Sequence, residues 1–123
     1  MVNVDEIAAQ ALMNSERLLN LLANKRCSIY HDNAPENGEY PIIQYTDLTE
    51  SPVLHADNET YAFQKIIRVT IINNTNVGRM ELKEAVIDAM KTAGFAWRMT
   101  NSTRSDHEYY TAIDFSYGAL FDK

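Results

Sequence analysis

The chain has 123 residues and a mass of 14.0 kDa, a size at which one domain can bury a hydrophobic core without disulfides or metals. Hydrophobic residues make up 46% of it and charged residues 23%, which disfavours a disordered or membrane-embedded protein. The 11 basic and 17 acidic residues leave a net charge of -6, which argues against a surface that binds duplex DNA through its phosphates.

The single cysteine and the first residues bear on the cellular compartment. One cysteine, Cys27, excludes an intramolecular disulfide and favours synthesis in a reducing, intracellular environment. Asp5 and Glu6 precede any apolar run, so we expect neither a signal peptide nor a membrane span. The expectation is one soluble domain over residues 1–123.

The first segment predicts an amphipathic helix. Apolar residues recur at helical spacing from Val4 to Leu22, with one polar interruption at Ser15. Asn3 is placed to cap the helix at its start, and Asn24 is a plausible left-handed terminator. Such a helix of about 20 residues is roughly 30 Å long, enough to cross a small sheet.

The next part of the chain predicts two strands and a long connection. Lys25–His31 is a candidate short strand in which Cys27 is a small strand residue, and Tyr40–Leu48 is a second strand that starts near Pro41. Thr49–Thr60 shows turn-forming residues and no helical period. It predicts a loop of about a dozen residues, a length at which a function is suspected.

Tyr61–Ile72 predicts the longest strand, because apolar and polar residues alternate along it. The following residues share its drier face: Tyr61, Phe63, Lys65, Ile67, Val69 and Ile71. A second helix is indicated by apolar steps from Leu82 to Ala93, with Gly94 as its left-handed C-terminal cap.

Two further strands are expected, at Phe95–Thr100 and Tyr109–Tyr117. The predicted order is α-β-β-β-α-β-β. It indicates an α+β fold, with a mainly antiparallel sheet of about five strands and both helices packed on one face. The face away from the helices should be wetter, since it bears Gln64, Arg68, Thr70, Asp114 and Ser116.

Over most of its length the chain resembles the tail-completion or tail-terminator proteins of tailed bacteriophages and prophages. The resemblance lies in the order of the elements and in patterns without reactive groups. It is carried by the N-terminal helix, Tyr40–Thr46, Ser51-Pro52-Val53-Leu54, Ala56-Asp57-Asn58-Glu59, the strand from Tyr61, Ala93-Gly94-Phe95 and Tyr109–Tyr117.

The resemblance implies a structural virion-assembly protein and no enzyme, with no cofactor and no metal. Proteins of this family form a ring, usually hexameric, that sits on the completed tail tube, stops its polymerisation and meets the head connector. The implied partners are further copies of the chain, the tail-tube protein and the head-connector protein, without sequence-specific nucleic acid or membrane. Assembly would take place in the bacterial host cytoplasm, and the protein would then remain at the tail-head junction of the virion.

A closed ring needs an interface in which one patch meets a different patch on the neighbour. The candidates are the Thr49–Thr60 loop, the Asp32–Glu39 loop and an exposed strand edge. Within the first loop, the polar residues are equally consistent with a solvated turn, and the apolar ones with packing on their own core. The candidate subunit or tube contacts are Glu50, Val53, Leu54, Asp57, Asn58 and Glu59.

An enzyme or small-ligand-binding domain on an open α+β sheet is the alternative. Its metal-ligating candidates are His31-Asp32, His55 with Asp57, and Asp106-His107-Glu108, although no established metal motif is present. Cys27 is interpreted as an inert buried thiol. The strand aromatics Tyr109, Phe115 and Tyr117 are interpreted as core residues rather than as a base-stacking platform, while Tyr110 and Trp97 are left unassigned.

Overall fold

A computed structural model of the chain describes residues 3–22, 25–32, 39–56, 59–75, 77–105 and 108–120; for residues 27, 50–63 and 118–120 it describes at most the backbone. Two substantial helices and five strands make up most of the described part. In chain order these are α1 (Val4–Met13), α2 (Glu16–Leu19), a 3-10 turn (Lys25–Ser28), β1 (Ile29–His31), β2 (Ile42–Ala56), β3 (Glu59–Asn73), α3 (Arg79–Thr92), β4 (Ala96–Ser105) and β5 (Glu108–Leu120).

The five strands form one sheet in the order β1-β2-β3-β5-β4. Three of the pairings are antiparallel, and β1 pairs with β2 in parallel. The α+β fold with a mainly antiparallel sheet of five strands is therefore confirmed. None of the described helices is long and apolar enough to cross a membrane.

The N-terminal helix differs from the prediction, because it breaks at Ser15. Asn3 does cap α1, and its side chain accepts a hydrogen bond from the Glu6 amide at 3.1 Å. Ser15 instead takes an extended conformation, with φ -87° and ψ 103°, and its hydroxyl accepts from the Leu18 amide. Serine competes for backbone hydrogen bonds in this way, so it ends one helix and begins the next. Beyond the break, Leu18 is fully buried.

The predicted strand at Lys25–His31 is also shorter than expected. Its first four residues form the 3-10 turn, which includes Cys27, and only Ile29–His31 pair with β2. Lys25 has a φ of 52°, a left-handed conformation through which a strand cannot run.

The Thr49–Thr60 loop was predicted wrongly, since β2 continues to Ala56 and β3 starts at Glu59. The two strands form one long hairpin. Its register shifts between Asp47 and Thr49 and twice more between Pro52 and His55. Such bulges accommodate Pro52, which has no amide hydrogen to donate, within a strand. The sequence pattern alone does not reveal this strand.

The core lies between the helices and the side of the sheet that they cover, which we call the inner face. Ile67, Val69 and Ile71 are buried there, as predicted for the drier side of β3. Phe115 is fully buried and meets Phe95 edge-on, with the ring centroids 6.5 Å apart. The core also takes in helix residues Leu12, Leu18, Leu82, Ala85, Val86 and Met90, which confirms that the helices share one face.

The opposite side of the sheet, the outer face, is drier than predicted in its centre. Gln64, Arg68 and Thr70 are half-buried, but Asp114 and Ser116 are only 7% and 6% exposed. The Asp114 carboxylate is buried with a charged partner, because the Arg68 guanidinium donates to both of its oxygens, at 2.8 and 3.1 Å. The wetter-face prediction is therefore wrong for Asp114 and Ser116.

Candidate assembly surface

The first candidate surface is the outer edge of β2. The short strand β1 covers β2 only at Ile43–Tyr45. Asp32 then takes a left-handed conformation, with φ 67°, so β1 ends beside Tyr45. Among the described strands none pairs with this side of β2 from Thr46 to Ala56, a segment we call the β2 edge.

The second candidate surface is β4, at the other end of the sheet. This strand of 10 residues pairs with β5 on one side, and no other described strand pairs with it. All of its side chains are exposed except Thr100, which is intermediate. We call its open side the β4 edge. A strand of this length with an open side is a template for pairing with another chain.

Two large apolar side chains stand on β4. Trp97 is 51% exposed and Met99 is 49% exposed. The register of β4 against β5 shifts between these two residues, so the strand bulges there. The Trp97 indole donates to the Thr100 hydroxyl at 2.9 Å, which holds the ring along the strand. Exposed apolar groups beside an open strand edge are typical of a contact surface.

The residues predicted as contacts lie either on the hairpin of β2 and β3 or outside the described part of the chain. Glu50, Val53 and Leu54 belong to β2 and Glu59 to β3, and nothing is described of their side chains. Asp57 and Asn58 fall outside the described residues, as do positions 33–38 of the other predicted loop. The structure places Glu50, Val53 and Leu54 on the strand that forms the β2 edge.

A compact charged cluster joins the start of α1 to the sheet. Lys65 on β3 extends its ammonium between two carboxylates, 3.3 Å from Asp5 Oδ1 and 3.2 Å from Asp47 Oδ2. The side chains are 18%, 28% and 36% exposed for Lys65, Asp5 and Asp47 respectively. The ammonium therefore compensates two carboxylates that would otherwise repel each other in a half-buried site.

The pKa values of this cluster follow from that geometry. Burial, and then a hydrogen bond with Asp5, raise the pKa of Asp47 above its ordinary value. Burial would raise the pKa of Asp5 too, but hydrogen bonds with Asp47 and Lys65 lower it overall. Burial would lower the pKa of Lys65, yet its two carboxylate partners raise it. Asp5 and Lys65 are thus held in their charged forms, which suits a structural ion pair.

A surface groove of about 770 Å³ lies between α1 and α3 and is called here the helix groove. An ion pair between Arg17 and Asp88, at 2.7 Å, lies at its rim. The lining is mostly small or polar: Asn3, Glu6, Ile7, Gln10, Ala11, Asn14, Ser15, Arg17, Ala85, Asp88, Ala89, Thr92 and Ala93.

The metal-ligating candidates are brought together only in part. His31 stacks on Tyr45, with ring centroids 4.8 Å apart, and its Nε2 lies 3.6 Å from Asp32 Oδ1. The His55 side chain and His107 fall outside the description. Across the described part of the chain, no three histidine, cysteine, aspartate or glutamate side chains converge as a metal site would require.

Sequence reasoning did not single out β4 as a surface. One signal was available: residues 100–105 read Thr-Asn-Ser-Thr-Arg-Ser, so both sides of the strand are polar there. A strand that is polar on both sides cannot be packed in the core, and it belongs at an edge.

Comparison with known proteins supports the fold. No protein-family model and no curated protein matches the chain. Sixteen chains of solved structures match it, and one of these superposes with a TM-score of 0.53 at 11% sequence identity. The superposition covers 100% of this chain and 99% of the other. At that identity the likeness defines a class of α+β fold and nothing about function.

Proposed function

We propose that this protein is a structural assembly protein of the phage tail-terminator type, which forms a ring on the end of a tail tube. The observation that carries the proposal is that two strand edges at opposite ends of one sheet, the β2 edge and the β4 edge, are not paired by any strand in the described part of the chain. A ring requires two different patches on each subunit, and these two edges supply them.

The finer features of the proposal come from the family resemblance. The ring would be a hexamer, it would contact the tail-tube protein on one side and the head connector on the other, and it would assemble in the bacterial host before remaining at the tail-head junction. The net charge of -6 is compatible with a conduit for DNA, since an acidic wall repels phosphate.

The experiment is inactivation of the gene in the phage or prophage that carries it, followed by negative-stain electron microscopy of the tails. A terminator stops tube growth, so we expect tubes longer than those of the parent and a loss of tails joined to heads. Expression of the intact gene from a plasmid should restore both. Tails of normal length that are joined to heads would reject the proposal.

The helix groove favours one other function, the binding of a small ligand. Its volume of about 770 Å³ lies within the range of ligand pockets. A fragment screen followed by protein NMR would test it: shifts confined to Ile7, Ala11, Ala85 and Ala89 would support a ligand site. An absence of shifts at millimolar fragment would reject this alternative.

A further inference from the structure

We infer that the β4 edge of one copy pairs with the β2 edge of the next copy, so that the sheet continues from subunit to subunit. This inference deepens the proposed function and rests on it, since it assigns the two patches of the ring interface. The occupant of each open edge is therefore a second copy of this chain.

The two edges carry complementary charges. The β4 edge carries Arg98 and Arg104 and no acidic residue. The β2 edge carries Glu50 and Asp47, of which Asp47 contacts the Lys65 ammonium of β3, and it has no lysine or arginine of its own. In a chain with a net charge of -6, β4 is thus a locally basic strand, and the β2 edge is a locally acidic one. Opposite charges on adjacent strands stabilise their pairing.

The same charges disfavour pairing of like edges. If two β4 strands paired antiparallel about Asn101, Arg98 of each copy would stand opposite Arg104 of the other. A parallel pair in register would place each arginine beside itself. Two β2 edges would likewise bring carboxylates together. Like charges directly opposite each other are destabilising, so the isologous dimers are disfavoured.

Length and burial agree with a pairing of unlike edges. The 10 residues of β4 match the open segment of β2 closely in length, and such a contact spans roughly 33 Å. Trp97 and Met99, each about half exposed, stand on the contact strand and lose exposed area when a neighbour is added. A contact between unlike patches leads to a ring or to an open filament rather than to a dimer.

Two charge-reversal variants and their mixture test the inference in purified full-length protein. The β4 variant is Arg98→Glu with Arg104→Glu, and the β2 variant is Thr49→Lys with Glu50→Lys; Asp47 is left intact because it contacts Lys65. Each variant alone should associate at least tenfold more weakly than the wild type by sedimentation velocity. The mixture should recover association, because each basic edge then meets an acidic one in alternation.

Controls separate this effect from net charge and from misfolding. Lys25→Glu with Lys91→Glu makes the same charge change as the β4 variant at exposed positions away from both edges, and it should associate like the wild type. Circular dichroism should show each variant folded. If a variant does not fold, the second measurement is disulfide trapping in Cys27→Ser with Thr49→Cys and Asn101→Cys, oxidised in the presence of tail tubes. These two positions lie between the charged residues of their edges, so a register that brings the opposite charges together brings the two cysteines together.

The outcomes distinguish this inference from the proposed function. A ladder of cross-linked copies up to the ring size, and recovery of association in the mixture, would support the edge pairing. The edge pairing would be overturned if rings formed equally well from both variants, or if rings formed on tubes without a cross-linked ladder. Either result would still agree with the ring proposal. A wild type that stays monomeric and does not bind tubes would overturn both.

Discussion

Replacement of Lys65 by methionine tests the charged cluster at the start of α1. Methionine keeps most of the side-chain volume and removes the ammonium, so the carboxylates of Asp5 and Asp47 face each other without compensation. An exposed ion pair contributes about 0–1 kcal/mol, and loss of one partner of a buried pair costs about 3–5 kcal/mol. Since Lys65 is only 18% exposed but Asp47 is 36% exposed, we expect a loss of about 2 kcal/mol at pH 7.

The pH dependence gives this prediction a second readout. The pKa of Lys65 is raised, so its stabilisation is complete below its usual value of 10.5 and is lost only as the pH rises through the folded-state pKa. The pKa of Asp47 is also raised, so this carboxyl takes up a proton first as the solution is acidified. Protonation of Asp47 removes its repulsion with Asp5. The loss in free energy of unfolding of the Lys65→Met protein, relative to the wild type, should therefore shrink as the pH falls from 7 towards 4.

Urea unfolding followed by circular dichroism, at several pH values, measures the deficit. The matched control is Asp47→Asn, which removes one carboxylate and leaves the ion pair of Lys65 with Asp5. We expect it to change the unfolding free energy by less than about 1 kcal/mol at pH 7. A Lys65→Met deficit below about 0.5 kcal/mol, or one that does not change with pH, would refute the reasoning.

Three further substitutions test the fold by equilibrium unfolding. Ser15→Ala should cost about 1 kcal/mol, because it removes the cap of α2, whereas Ser102→Ala on the exposed strand should cost almost nothing; equal effects would contradict the cap. Phe115→Ala should cost about 3–5 kcal/mol, since its ring is fully buried, and a loss below 1 kcal/mol would contradict its place in the core. Arg68→Met should lower the free energy of unfolding by about 1–3 kcal/mol, because the buried Asp114 carboxylate loses its guanidinium partner. In a double-mutant cycle with Asp114→Asn the two effects should not add, and additivity would contradict the ion pair.

The parts of the fold that periodicity governs were predictable from the sequence. Leu82, Ala85, Val86 and Met90 follow the helical spacing of α3 and are all buried. Gly94 follows that helix with a φ of 100°, as its position as a C-terminal cap predicted. In these segments the local pattern and the tertiary packing favour the same structure, and this agreement is why the sequence alone was sufficient.

The parts that depend on competition between local and tertiary interactions were not predictable. Ser15 interrupts an apolar helical pattern, and its hydroxyl accepts from the Leu18 amide at the start of α2. Pro52 and its polar neighbours read as a loop, yet the chain pairs across them with bulges because β3 offers a long partner strand. The open edge of β2 follows from strand order, which a single sequence does not specify, whereas the polar run at residues 100–105 did mark β4 as an edge strand.

The most direct measurement of the central claim is end-labelling of tail tubes polymerised in vitro. Purified tube protein from the same genome is polymerised, gold-labelled copies of this chain are added, and free tube subunits follow. We predict one gold cluster at a tube end, a subunit number in the cluster that fits a closed ring, and no further growth at the labelled end. Label scattered along the tube walls, or continued growth past the label, would contradict the claim.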